Sequence, residues 1–298
     1  MDADRFELIP SLKKMTLETL EDFEVVGSYG SGAILYSAAY RNVNGLGRNL
    51  EAVSAAAALG LSSLDYARRR YVSTDDEPSQ DATQTGYVAA YKAARRHIDQ
   101  CANAMLTNPD VELGFGTYAA SIALERLQLS FGAAHLLYNL GLHYEGDVIA
   151  RQILEQIAWS VAASQVVDED KLERISSSAS IPDLKVLAPA AGRLNGYLSK
   201  SAHLGLAQHR QVFQADVSGR GRISMTWNRT RVSADILLSL ADLWAIAYEW
   251  TQRAHMTTFV SLDPEANFHV DAKRSFLGIA KKLLDDIPPA DEKPDVSA

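Results

Sequence analysis

The stretch YAASIALERLQLSFGAAHLLYNLGLHY, residues 118–144, decides the fold class because nearly all of its residues are apolar or favour helices. Beyond a break predicted at Glu145–Gly146, the stretch VIARQILEQIAWSVAASQVV, residues 148–167, predicts a second long helix. Asp147 stands where a carboxylate can accept the free amides of the first turn, so we expect it to cap this helix. Two long apolar helices joined by a tight turn predict an antiparallel helical hairpin at the centre of the core.

The rest of the chain predicts further helices and one β-hairpin. Helical segments are expected at 12–23, 34–40, 51–71, 86–106, 197–210, 233–258 and 272–284, with a glycine turn at 23–32. The segment QVFQADVSGRGRISMTW, 211–227, alternates apolar and polar residues on both sides of Ser-Gly-Arg-Gly, which is typical of a β-hairpin. The predicted fold is therefore mainly α, a multi-helix bundle with one β-hairpin insertion at about 211–227.

Composition limits the class of protein. With 298 residues, 47% of them hydrophobic and 22% charged, the chain can bury a large core, which excludes disordered and fibrous proteins. We expect a single helical domain over 1–285 and a disordered, proline-rich tail at 286–298. An alternative is that this domain consists of an N-terminal subdomain, 1–108, and a core subdomain, 116–285. The single cysteine, Cys101, excludes an internal disulfide and fits a reducing compartment. No run approaches the ~20 apolar residues that span a bilayer, so we predict a cytoplasmic protein without a membrane partner.

Residues 193–231 form a basic segment in an acidic protein. The segment carries seven cationic residues and one acid, Asp216, so its local charge is +6 and the remaining chain must carry −14 to reach the total of −8. Such asymmetry favours the binding of an anionic partner at this segment. The predicted binding residues are Arg193, Lys200, Arg210, Arg220, Arg222, Arg229 and Arg231.

Polar side chains on the two long helices predict a buried hydrogen-bond network. His135, Asn139 and His143 recur every four residues, so they would share one face of a continuous helix. His135 and His143 would then lie about 12 Å apart along the axis, too far to bind one zinc ion. Arg151 and Glu155 lie one turn apart on the next helix and can form an ion pair. We predict a structural network or a polar pocket, and neither a metal nor a cofactor.

The combination of Arg151-x-x-x-Glu155 with Tyr197-x-Ser199-x-x-x-His203 resembles that of a group of all-helical prokaryotic proteins. These in turn distantly resemble the HEPN ribonuclease superfamily, which implies a helical fold and cleavage of RNA. The superfamily's signature is an arginine, then four to six residues, then a histidine. None of the seven histidines in this chain has an arginine at that spacing.

Two classes of function follow. The preferred interpretation is a non-enzymatic helical binding protein, a homo-oligomer, whose basic segment binds nucleic acid such as RNA, or an acidic protein. The rival is a metal-independent ribonuclease or related phosphotransfer enzyme, in which His203 or His209 is the general base and arginines stabilise the transition state. A third interpretation is that the arginines pair with the protein's own surplus of acids, across a dimer interface for example.

Overall fold

The computed structural model describes residues 23–29, 32–37, 45–72, 82–104, 114–202, 213–215, 221–223 and 229–288. The architecture is mainly helical with small antiparallel sheets, as predicted. The elements are β1 Phe23–Tyr29, β2 Gly32–Ser37, α1 Leu46–Leu59, α2 Leu64–Tyr71, α3 Ala82–Asn103, α4 Phe115–Asn139, α5 His143–Ala163, α6 Glu169–Leu172, a 3-10 turn Ser178–Ser180, α7 Ile181–Leu187, α8 Ala190–Ala202, β3 Phe213–Ala215, β4 Gly221–Ile223, α9 Thr230–Gln252, β5 Leu262–Asp263, β6 His269–Val270 and α10 Ser275–Asp286.

The chain divides into two compact units, Met1–Ser79 with Arg222–Ser224, and Gln80–Gly221 with Met225–Ala298. The predicted single domain over 1–285 stays a prediction. The predicted helix 12–23 lies outside the described residues up to residue 22, and Phe23 belongs to β1. Of the predicted tail, 286–298, the residues from 289 onward lie outside the described residues. Ile287, which also belongs to the predicted tail, is fully buried.

The first unit contains a β-hairpin that we did not predict. β1 and β2 pair antiparallel from Phe23 opposite Ser37 to Tyr29 opposite Gly32. The helix predicted at 34–40 is therefore wrong from its start, because its first four residues lie in β2. A short apolar run fits either a buried strand or a helix, and only pairing with the preceding strand decides between them.

Helices α1 and α2 replace the single helix predicted at 51–71. Gly60 ends α1 in a left-handed conformation with φ 64°, which glycine adopts without steric cost. Ser63 then caps α2 by accepting a hydrogen bond from the Tyr66 amide. Ala52, Ala56 and Ala67 form a small buried cluster between the two helices, joined by Val72.

The second unit is organised around α9, which is buried along almost its whole length. A helix that is apolar on every side must pack against neighbours all round. α3, α4 and α5 pack against α9, and the Trp244 indole donates to the Leu124 carbonyl of α4 at 2.9 Å. The centre of this core is therefore α9 together with the predicted α4–α5 pair.

The turn between α4 and α5 lies five residues earlier than predicted: α4 ends at Asn139 and α5 begins at His143. Gly141 is left-handed, with φ 77°, and its amide donates to the Tyr138 carbonyl at 3.0 Å. The Leu142 amide donates to the Leu137 carbonyl at 2.9 Å, which completes a Schellman helix end. Two predictions are corrected by this turn: Asp147 lies inside α5 and caps nothing, and His143 is on a different helix from His135 and Asn139.

The C-terminal part contains the predicted hairpin, because β3 and β4 form a two-stranded sheet within 211–227. A second, unpredicted pair joins Leu262 to Val270 and Asp263 to His269. Over the described ranges, the structure has no helix that is long and apolar enough to cross a membrane.

Candidate functional site

Asp147 is the centre of a buried polar cluster between α4, α5, α8 and the start of α9. Its carboxylate is fully buried and accepts hydrogen bonds from three side chains. The Tyr138 hydroxyl donates to Oδ1 at 2.8 Å, and the Ser201 hydroxyl donates to Oδ2. Arg229 Nη2 donates to the same Oδ2 at 2.9 Å. Both oxygens are occupied by donors, so this carboxylate is not available as a general base while these bonds hold.

Arg229 is held on several sides by the same cluster. Its Nη2 also donates to the Tyr197 hydroxyl and, at 3.4 Å, to the Ser201 hydroxyl. The guanidinium carbon lies 4.3 Å from the centroid of the Tyr144 ring, a cation–π contact. Burial lowers the pKa of Arg229, but the nearby Asp147 and Tyr197 outweigh it, so the net pKa is raised. The guanidinium stays charged, and the pair is a fixed buried ion pair.

The two tyrosines whose hydroxyls are hydrogen-bonded to this ion pair, Tyr138 and Tyr197, remain protonated. Burial raises the pKa of Tyr138 well above its ordinary value, and the neighbouring Asp147 carboxylate raises it further. Burial also raises the pKa of Tyr197, although the Arg229 guanidinium opposes the shift. Neither phenol can therefore act as a phenolate at neutral pH. Tyr197 is 38% exposed and connects the cluster to a neighbouring cleft.

That cleft has a volume of about 620 Å³ and lies between α8, α9 and α10. Its lining is mostly apolar with a few polar side chains, a composition typical of small-molecule sites. The polar lining residues are Arg193, Tyr197, Asp235, Ser239, Asp242 and Arg274. Arg274 Nε and Nη2 each lie 2.6 Å from one oxygen of Asp242, so these two residues form a bidentate pair.

His97 of α3 lies against the residues that form one wall of the cleft. Its ring stacks on Phe276 with centroids 3.8 Å apart, and its Nε2 is buried without a hydrogen bond within the described structure. Burial lowers the pKa of His97 from 6.5 to about 4, although Asp242 raises it in part. The ring is therefore neutral at physiological pH, and Phe276 of α10 packs against this neutral ring.

Acid should destabilise the protein through His97. Above pH 6.5 the His97 imidazole is neutral in the folded and in the unfolded protein. Between pH 6.5 and 4 only the unfolded protein binds the proton, so the free energy of unfolding falls by about 3 kcal/mol as the pH is lowered through this interval. We expect a plot of unfolding free energy against pH to be flatter over this interval in His97→Phe, which keeps the stacked ring. The same replacement at exposed His269 is the control. A slope unchanged in His97→Phe would contradict the assignment.

The predicted binding residues have different environments. Arg229 pairs with Asp147, and Arg231 pairs with Asp285 at 3.7 Å and donates to the Ile287 carbonyl at 3.2 Å. Arg193 and Lys200 are exposed on α8. Arg222 belongs to β4, but its side chain is outside the described structure, as are residues Arg210, Arg220, His203 and His209.

The residues of the predicted polar network lie on two helices. On α4, His135 Nδ1 lies 3.0 Å from the Tyr87 hydroxyl, and Asn139 is buried. On α5, His143 Nδ1 lies 2.8 Å from the Ser233 hydroxyl. Arg151 Nε donates to Glu155 at 2.9 Å, one turn along the same helix. Burial lowers the pKa of His135 to about 3, so it is neutral in the folded protein.

Sequence reasoning missed the acids that organise the second unit. Asp147 was interpreted as a helix cap, and Asp242 and Glu249 were not selected at all. A signal was present, because both lie in an otherwise apolar stretch of the sequence that reads as a buried helix. A charge at such a position must be paired. Their partners, Arg274 and the amides of 260–262, could not be identified without the fold.

No protein-family model matches the chain, and no curated protein or solved structure matches it either.

Proposed function

We propose that this chain is a non-enzymatic binding protein that takes an anionic partner, nucleic acid first, on the exposed part of the basic segment. The observation that supports it is the contrast within the segment. Arg229 and Arg231 are paired with the protein's own acids, whereas Arg193 and Lys200 are exposed and have no ion pair to any described side chain. We propose further that it acts in the cytoplasm as a homo-oligomer.

The geometry of α8 supports a phosphate-binding role. Arg193 and Lys200 are seven residues apart, so they project from the same face of the helix about 10 Å apart along its axis. Cations fixed on one face can each neutralise a phosphate of the same strand and release its counterions. Arg210, Arg220 and Arg222 follow in the chain and add three more positive charges to the basic segment.

We expect the charge reversal R193E/K200E to weaken binding of labelled RNA and DNA, measured by fluorescence anisotropy at several salt concentrations. Loss of two phosphate contacts should reduce the slope of log affinity against log salt by about 2. The control K281E/K282E makes the same charge change on exposed lysines of α10. Equal weakening in both variants would show only a general charge effect, and absence of binding at low salt would refute the proposal.

The same titration tests the ribonuclease alternative. The probes are recovered after binding and inspected for cleavage, with and without a chelator of divalent metals. Cleavage that survives chelation and is lost in His203→Ala or His209→Ala, with binding intact, would replace the binding proposal by the enzymatic one. Displacement of nucleic acid by an acidic polypeptide at low concentration would instead favour an acidic protein partner.

A further inference from the structure

We propose that the cleft between α8, α9 and α10 binds a small organic anion with an apolar body, whose charged group contacts Arg193. This proposal does not rest on the binding of nucleic acid. Both proposals use Arg193: the small anion would occupy the cleft that Arg193 lines, whereas nucleic acid would lie along the exposed side of α8 between Arg193 and Lys200.

The size and lining of the cleft suit a small molecule. Its volume of about 620 Å³ lies within the range of about 300–1,000 Å³ typical of small-molecule sites. Three helices contribute apolar side chains, among them Leu194 of α8, Ile236 of α9 and Phe276 of α10. An aromatic or branched body could exclude water from these walls.

The charges of the cleft select the class of ligand. Asp242 and Arg274 satisfy each other, and Arg274 Nη1 also donates to the Asp271 carbonyl at 2.8 Å, so this pair contributes no net charge. Arg193 is the one lining cation without an ion pair to a described side chain. A carboxylate or sulfonate at this position would gain a charge-assisted, potentially bidentate contact.

The α9 wall offers hydrogen-bond acceptors to the other end of the ligand. Asp235 lines the cleft one turn before Ser239, whose hydroxyl lies 3.5 Å from the Asp235 carboxylate. An N–H or O–H on the apolar body could donate to either side chain. The ligand class that fits is therefore an aromatic acid that carries a hydrogen-bond donor on its ring system.

Three indole probes that differ mainly in charge test this inference: indole-3-acetate, neutral 3-methylindole and cationic tryptamine. Binding to the full chain is measured by saturation-transfer NMR and by calorimetry. We expect the anion to bind about tenfold more tightly than the neutral probe, because only the anion gains the Arg193 contact. The cation should bind more weakly than the anion because Arg193 repels it, although the Asp235 carboxylate offsets part of that repulsion.

Variants separate the cleft from general charge effects. Arg193→Gln should remove the preference for the anion, whereas Lys282→Gln, which removes an equal charge from an exposed lysine outside the cleft lining, should leave it within about twofold. Ala280→Phe should weaken binding of all three probes because the larger side chain occupies part of the cleft. Leu277→Glu, at the exposed edge, should selectively weaken binding of the anion. Unfolding temperatures identify any variant that fails to fold.

The inference would be overturned by no binding of indole-3-acetate at millimolar concentration or by equal binding of all three probes. It would also be overturned by an effect of Lys282→Gln equal to that of Arg193→Gln, or by unchanged binding in folded Ala280→Phe. A probe affinity that falls as protein concentration rises would show that a second copy covers the cleft, which also overturns it. Nucleic-acid binding that persists in an Ala280→Phe variant that no longer binds the probes would show that nucleic acid does not need the cleft, so the two proposals can fail independently.

Discussion

Replacing Asp147 by alanine is expected to lower the free energy of unfolding by about 3–5 kcal/mol, because the Arg229 guanidinium would stay buried without its carboxylate. The Tyr138 and Ser201 hydroxyls would lose their acceptor in the same step. Denaturant unfolding followed by circular dichroism measures the change. The loss should exceed that of any single substitution in the exposed basic residues.

The matched control is Asp285→Ala. Asp285 also pairs with an arginine of the basic segment, Arg231, but its side chain is 62% exposed. A solvated pair contributes about 0–1 kcal/mol, so this variant should unfold almost as the parent does. The double variant Asp147→Leu/Arg229→Met removes both charges and should be more stable than Asp147→Ala alone. A loss below about 1 kcal/mol in Asp147→Ala would show that solvent reaches the pair.

Replacing Glu249 by alanine should lower the free energy of unfolding by at least about 3 kcal/mol, because three backbone amides would lose their acceptor. The fully buried Glu249 carboxylate accepts from the amides of Val260, Ser261 and Leu262 at 2.7, 3.0 and 2.8 Å. These residues lead into β5, so one side chain of α9 fixes the course of the following segment. Glu249→Gln should lie between the parent and alanine, because its amide keeps one acceptor oxygen.

Hydrogen exchange measured by mass spectrometry gives this prediction a local readout. Peptides that cover 256–272 should exchange faster in Glu249→Ala, while peptides from α4 should change only with global stability. Glu265→Ala is the control, because this exposed acid belongs to the same segment. Unchanged exchange at 260–262 would mean that water replaces the carboxylate without loss of order.

Elements that depend on short-range sequence patterns could be predicted from the sequence. The long helices follow from apolar residues that recur with the helical period, and the hairpin at 211–227 follows from alternation around a glycine turn. The hairpin of β1 and β2 was not readable, because its apolar run suits a helix equally well until the partner strand is known. The end of α4 at Gly141 was readable in principle, since a glycine after an apolar helix is a common stop signal.

The sequence by itself determined that the protein is mainly helical, that residues 193–231 form a basic segment in an acidic chain, and that acids such as Asp242 and Glu249 stand among apolar neighbours. Only the tertiary structure decided which charges neutralise one another. Asp147 and Arg229 are separated by 82 residues, and Asp242 and Arg274 by 32. The net charge of a segment can be counted from its residues alone, whereas an ion pair depends on distance and burial in the folded chain. For that reason Arg229 forms a buried ion pair in the core, whereas Arg193 of the same basic segment remains exposed.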